Sequence, residues 1–254
     1  VREVIEAALA TLEAERSIRV LFACESGSRA WGFASPDSDY DVRFVYLHEL
    51  DWYLRVAPGR DSIERMLPGD LDLSGWDLRK ALGLYGHSNA VLFEHLGSGI
   101  VYRDVGGLRE ELLELLPCYF NPIAAGHHYL GLATRMHREF LGGAQVNLKK
   151  LFYVLRPLAA FRWIELRRCM PPTAFDAILA GIDLDAEQRG WIASLSAQKQ
   201  ARSEGGGVLL DAEVRDWIDV WLTRSRAAAA ALPHGGGGGG ELDRLLARMV
   251  RARG

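Results

Sequence analysis

Apolar residues recur along this chain at two periods, and the changes of period divide it into elements. Val4, Ile5, Ala8 and Leu12 fall on one helical stripe with acidic residues between them, which predicts an amphipathic helix over residues 1–16, packed on a sheet. Ile18 to Cys24 is a short apolar run, partly β-branched, that ends at a Ser/Gly cluster; it reads as a buried strand. Gly27-Ser28 turns the chain, Arg29 to Phe33 can start a helix, and Pro36, Asp37 and Ser38 form a second turn. A strand then opens with Asp39-Tyr40-Asp41 and continues through Val42, Phe44 and Tyr46. Trp52 to Val56 fits a surface loop or an edge strand equally well. Residues 70–76 alternate as a strand, with Leu71 and Leu73 on the face opposite Asp72. Two helices follow over 77–87 and 89–97, the first capped by Asp77 and the second by Ser88 or Asn89, and Glu94 and His95 read as helix-surface residues, with an active-site role as the alternative.

From there the period is helical almost throughout. Residues 107–116 form an amphipathic helix closed near Pro117. Leu130, Ala133, Met136, Phe140 and then Leu148, Leu151, Phe152, Leu155 predict a pair of helices, with Pro157 expected to kink the second around Tyr153. Residues 171–200 continue the helical pattern, 203–207 read as a flexible turn, and Val214, Trp217, Ile218, Trp221 and Leu222 mark another amphipathic helix. Gly235 to Gly240 is expected to be a flexible linker. Beyond it a terminal helix carries Leu242, Leu245, Leu246, Met249 and Val250 on one face, ringed by arginines. That helix either folds back on the bundle or forms a tethered basic tail that touches RNA or a partner.

Composition narrows the class. Of 254 residues 49% are hydrophobic and 25% charged, as in ordinary soluble proteins, and the net charge of −3 argues against a general basic coat for nucleic acid. No uncharged apolar run has membrane-spanning length and no signal-peptide pattern opens the chain. Cys24, Cys118 and Cys169 are widely spaced without paired ligand spacing, which predicts reduced thiols in a cytoplasmic protein. Between His127 and Arg168 the local charge is +6, eight Lys or Arg against Glu139 and Glu165.

The chemistry concentrates around residues 21–46. Side chains two apart on a strand share a face, so Asp39 and Asp41 present two carboxylates about 7 Å apart. Carboxylates that close repel unless a cation lies between them, and hard oxygen ligands suit magnesium bound together with substrate phosphates. Gly27-Ser28 supplies the complement, a small-residue turn whose backbone N–H groups can hold phosphate oxygens. An isolated Asp-x-Asp at a strand start is ordinarily a solvated turn; here the upstream Gly-Ser between two strand-like runs favours the metal reading.

Gly27-Ser28, ten intervening residues and Asp39-Tyr40-Asp41 resemble the signature of the DNA polymerase β-like nucleotidyltransferase superfamily. The longer strings Gly27 to Phe33 and Ser38 to Arg43 resemble a narrower group, the RNA repair pathway DNA polymerase β family. The likeness continues through Leu71 to Lys80, Ser88 to Leu96 (with Ala90 where the family would carry Pro) and Leu151 to Leu158. It implies an α+β fold: a small mixed-sheet nucleotidyltransferase domain over residues 1–105, then a helical-bundle domain over 106–234, the glycine linker 235–240 and a terminal helix 241–254. It also implies a third metal-binding carboxylate on the strand over 70–76. Asp72 takes that role, with Asp70 as competitor.

The function expected is magnesium-dependent transfer of a nucleoside monophosphate from a nucleoside triphosphate to an acceptor hydroxyl, with two ions and manganese as the substitute metal. Asp39, Asp41 and Asp72 would be the metal-binding and catalytic carboxylates. Gly27 and Ser28 would hold the triphosphate with Arg29 or Arg43. Lys149, Lys150, Tyr153 and Arg156, three of them on one helical face, would clamp the remaining phosphates from the second domain. The alternative for that face is simple solvation. The family resemblance implies an RNA end as acceptor, in a pathway shared with an RNA ligase and away from any membrane. A protein side chain or small molecule as acceptor, and a non-catalytic nucleotide-binding module, are the competing expectations.

Overall fold

The computed structural model describes residues 1–35, 38–57, 59–143, 145–201 and 207–253, so the expected turn at Pro36-Asp37 and most of that at 203–207 lie outside the described residues. The chain divides into two compact units. The first comprises Val1–Ala30, Asp39–Tyr119 and Gly236–Gly254, and the second comprises Trp31–Ser38 and Phe120–Gly235.

The first unit is built on a five-stranded mixed sheet. Helix α1 (Arg2–Arg16) precedes β1 (Arg19–Glu25), and the short α2 (Gly27–Trp31) leads towards β2 (Tyr40–Leu47). A single turn α3 (Leu50–Tyr53) is followed by β3 (Ser62–Leu67) and β4 (Leu71–Asp77), then α4 (Leu78–Gly86), α5 (Ala90–Leu96), β5 (Val101–Asp104) and α6 (Leu108–Tyr119). Strand order is β3-β4-β2-β1-β5, with β2 and β4 parallel and the other pairs antiparallel. Helix α1 buries Ile5, Leu9 and Leu12 against Val20, Val42, Phe44, Tyr46 and Leu73. The buried stripe is therefore one step round from the expected one, since Val4 is exposed. Gly75 lies opposite Phe44 in the register, and a Cβ there would stand 2.2 Å from the Phe44 ring, so only glycine admits that aromatic to the core.

The caps fall where short polar side chains directly precede apolar helices. Asp77 accepts from the Arg79 N–H at 2.8 Å, and Asn89, rather than Ser88, accepts from Leu92. Helix α6 runs on through Pro117, tolerated in its last turn, and does not close before it. His95 is buried, not on the surface: it packs at 5.5 Å from the Trp76 ring, and burial lowers its pKa to about 4.

The second unit is helical, with α7 (Pro122–Phe140), a short strand β6 (Gln145–Asn147), α8 (Leu148–Arg167), α9 (Phe175–Ala180), α10 (Ala186–Gln200), β7 (Gly207–Leu209) and α11 (Ala212–Ala229). The expected single helical stretch over 171–200 is two helices, because α10 starts at its own capping box formed by Asp185 and Gln188. Helix α8 is one continuous element with Pro157 buried inside it.

The glycine run is packed and not a free tether. A Cβ on Gly238 would stand 1.8 Å from the Tyr119 ring, and the Gly237 N–H donates to the Cys118 carbonyl at 3.2 Å. The last helix, α12 (Glu241–Arg251), folds back on the first unit and buries Leu245 and Val250. Tyr119 donates to Glu241 at 2.8 Å, Arg248 pairs with Glu111, and Arg253 donates to the carbonyls of Leu47 and Ser17. Arg248 and Arg253 are thus held internally, and the helix packs on the first unit instead of on the helical bundle.

Candidate active site

The parallel pairing of β2 with β4 decides the site. Asp41 and Asp72 are direct register partners, so two strands far apart in sequence set their carboxylates side by side. Arg43 reaches back along β2, and its Nη2 lies 2.9 Å from Asp41 Oδ1 and 2.9 Å from Asp72 Oδ2. Its Nη1 also donates to the carbonyls of Val42 and Asp72. Two carboxylates thus converge on one cation, and that cation is part of the chain. Arg43, expected to face nucleotide phosphates, is engaged with the acidic pair instead.

Gly27 lies against one of these carboxylates, that of Asp41. Its φ of +60° is in the left-handed region, and a Cβ there would stand 2.3 Å from Asp41 Oδ2. Ser28 is buried in the single turn that follows. Asp39 is exposed and lies one residue before β2 begins. Arg29 stacks 3.8 Å from the Tyr40 ring centroid and donates through Nε to the Asp39 carbonyl at 3.0 Å, which fixes the backbone where the two acidic residues start. Asp70, the competitor for the third carboxylate, has φ of 54° in the turn before β4.

One participant carries no motif. Glu25, the last residue of β1, is fully buried, accepts from the Asp41 N–H at 2.8 Å and accepts from the Tyr102 hydroxyl. The Ser26 N–H donates to the Asp41 carbonyl at 2.8 Å, so both backbone groups of Asp41 are held from the β1 end. Burial is the main reason why the Glu25 pKa is raised, with hydrogen bonds from Tyr102 and Asp41 acting against it. The available signal was a charged residue closing an apolar strand immediately before the Ser-Gly turn.

The remaining expected residues lie on α8 of the second unit. Lys149 is half-buried in its first turn; Lys150 lies over Phe140, 4.5 Å from the ring centroid, and 5.8 Å from that of Tyr153. Tyr153 meets Trp31 edge-on at 5.6 Å, and Arg156 is buried, lying over Trp31 at 4.4 Å and donating to the Thr173 carbonyl at 3.0 Å. The aromatic segment that starts at Trp31 covers this face, so Arg156 is a packing cation, not a solvent-facing one. The structure brings Gly27, Asp41, Arg43 and Asp72 together in the first unit and groups the four α8 residues within the second.

Among the described residues, no three His, Cys, Asp or Glu side chains form a ready metal cluster. Two of the three expected ligands nevertheless suit a hard divalent ion: Asp41 and Asp72 offer oxygen ligands that already share one positive group, while Asp39 lies exposed just before β2.

Residues 1–248 match the RNA repair pathway DNA polymerase beta family, RlaP. The chain belongs to that family. It is also 38% identical over 248 residues to the uncharacterised protein YcgL of Bacillus subtilis strain 168, covering 95% of this chain and 94% of that protein. A solved nucleotidyltransferase-like protein from Exiguobacterium sibiricum 255-15 is 14% identical, with a TM-score of 0.33 over 89% of this chain and 75% of that one. Membership makes the chain a polymerase β-like nucleotidyltransferase. No described helix is long and apolar enough to cross a membrane.

Proposed function

We propose that this protein transfers a nucleoside monophosphate from a nucleoside triphosphate to the hydroxyl of an RNA end. The observation that carries the reading is the in-register placement of Asp41 and Asp72 around one cation directly beside Gly27. The family's description supports RNA repair as the setting.

Asp39, Asp41 and Asp72 would hold magnesium, or manganese in its place, which when bound supplies charge neutralisation at the transferring phosphoryl group. Asp72 accepts a hydrogen bond from the attacking hydroxyl and takes its proton. The hydroxyl oxygen forms the new bond to the α-phosphorus, the α–β bridging bond breaks, and pyrophosphate leaves. Gly27 lets the backbone approach the triphosphate without a side chain intervening, and Ser28 hydrogen-bonds it.

The test is incubation with each α-labelled nucleoside triphosphate, magnesium and a defined 3′-hydroxyl RNA, beside an Asp39→Ala/Asp41→Ala control. Label on the RNA, absent from the control, is the expected outcome and names the nucleotide. Label on protein would replace the RNA acceptor with a side chain. Label equally present in the control would remove the carboxylates from the reaction.

A further inference from the structure

The far end of β2 carries a second cavity, of about 400 Å³, within the size range of small-molecule sites. Its wall includes Tyr46 and His48, six and eight residues beyond Tyr40, where β2 begins, so it lies at the opposite end of the strand from the carboxylates. At the strand's rise that separation is about 20 Å.

Three features of the lining point to a ligand. First, the Tyr46 hydroxyl and His48 Nε2 are buried and have no hydrogen-bond partner among the described residues, although buried polar groups are ordinarily paired. Tyr46 is fully buried, and burial lowers the His48 pKa to about 4, with Arg253 and Arg55 adding to the effect, so the ring is neutral and can hydrogen-bond in either sense. Second, the wall is aromatic: His48 stacks on Trp52 at 4.1 Å and 13°. Third, the exposed rim carries Arg16, Arg55 and Arg60 together with Glu49, Asp51 and Glu64. Among the described residues none of these three arginines is held in an ion pair.

These features select a ligand class. The balance of three arginines and three carboxylates disfavours a polyanion such as a triphosphate. It suits a molecule with one phosphate for the arginines and neighbouring hydroxyls for the carboxylates, as acidic side chains accept from ribose hydroxyls in other nucleotide sites. Aromatic walls with two unpaired hydrogen-bonding atoms suit a flat, polar-edged base. We propose that this cavity binds a nucleoside monophosphate, at a site separate from the one that performs transfer.

The test is calorimetric titration of the full chain with AMP and with adenosine, in EDTA so that binding is read without turnover. The wild-type chain should bind AMP, and bind adenosine about tenfold more weakly for want of the charged hydrogen bonds. Arg55→Ala/Arg60→Ala, both on the exposed rim, should weaken AMP at least as much with an unchanged melting temperature. Tyr46→Phe keeps the ring in place and should weaken both ligands. No binding by the wild-type chain at millimolar AMP overturns the proposal. So does equal AMP affinity in Arg55→Ala/Arg60→Ala, which would move the bound nucleotide elsewhere. None of these readings depends on whether the chain transfers nucleotides.

Discussion

Asp41 and Asp72 face one another across the parallel strands β2 and β4 and share the guanidinium of Arg43, which lies 2.9 Å from each. The two carboxylates are 31 positions apart in the chain, and only the strand pairing makes them neighbours. Arg43 occupies the position that a bound cation would need, so the internal ion and an external one compete for the same oxygens.

Arg43→Gln should separate those two roles. Side-chain exposures of 22%, 31% and 29% mean that solvent screens the pairs, so the loss of stability in EDTA should be about 1 kcal/mol. Magnesium should then raise the melting temperature of the variant more than that of the wild-type chain, because the guanidinium no longer competes. An equal magnesium response in both would show that the ion does not use these oxygens.

Gly27→Ala should cut transfer much more than it cuts stability. A left-handed φ of +60° costs an alanine about 1–2 kcal/mol. The new Cβ, 2.3 Å from Asp41 Oδ2, must also push the carboxylate aside. A displacement of that order in a reacting constellation costs about 100-fold in rate. Label transfer by the variant within twofold of wild type would show that the Asp41 carboxylate position is not critical.

Glu25 is a positioning residue, acting through the Asp41 backbone and the Tyr102 hydroxyl. Glu25→Ala leaves two part-buried donors without that acceptor, at a total cost of about 1–3 kcal/mol. Glu25→Gln keeps an acceptor of the same size and should lose less than half as much. Urea unfolding of the two variants gives the comparison, and equal losses would mean that the side chain's volume, not its hydrogen bonds, matters.

His95 should make the fold acid-sensitive. Its pKa in the folded state is lowered to about 4 by burial, against 6.5 when unprotected, so the unfolded chain binds the extra proton first. Stability from the neutral ring is therefore complete above about pH 6.5 and is lost as pH falls towards 4, by about 3 kcal/mol in all. Burial raises Glu25 and Asp77, and these groups have the opposite sign: their protonated forms favour the fold at the acid end of the same range. A His95→Gln chain should unfold with a flatter pH profile between 6.5 and 4. A profile parallel to wild type would assign the acid sensitivity to other groups, His48 first among them.

Much of the site was legible because its chemistry is local. Gly-Ser, the Asp-x-Asp strand start and the alternating Leu71-Asp72-Leu73 each follow from turn preference and the two-residue period of a strand, and the family resemblance orders them. The buried strand over 18–24, the caps at Asp77 and Asn89 and the two long helices α7 and α8 are legible for the same reason. The short strands β3, β5, β6 and β7 were not, because three to six residues with mixed polarity carry no period strong enough to separate them from loops.

What the sequence alone determined is therefore the kind of protein and which acidic residues fall at its strand starts, since residue type and spacing are local properties. Only the tertiary structure decided which groups those residues meet. It paired Asp41 with Asp72, turned Arg43 onto both, set Glu25 behind the Asp41 backbone, buried Arg156 beneath Trp31 and packed the glycine run against Tyr119. Each of these depends on strand order or on a contact between distant segments, and neither is written in any one stretch of the chain.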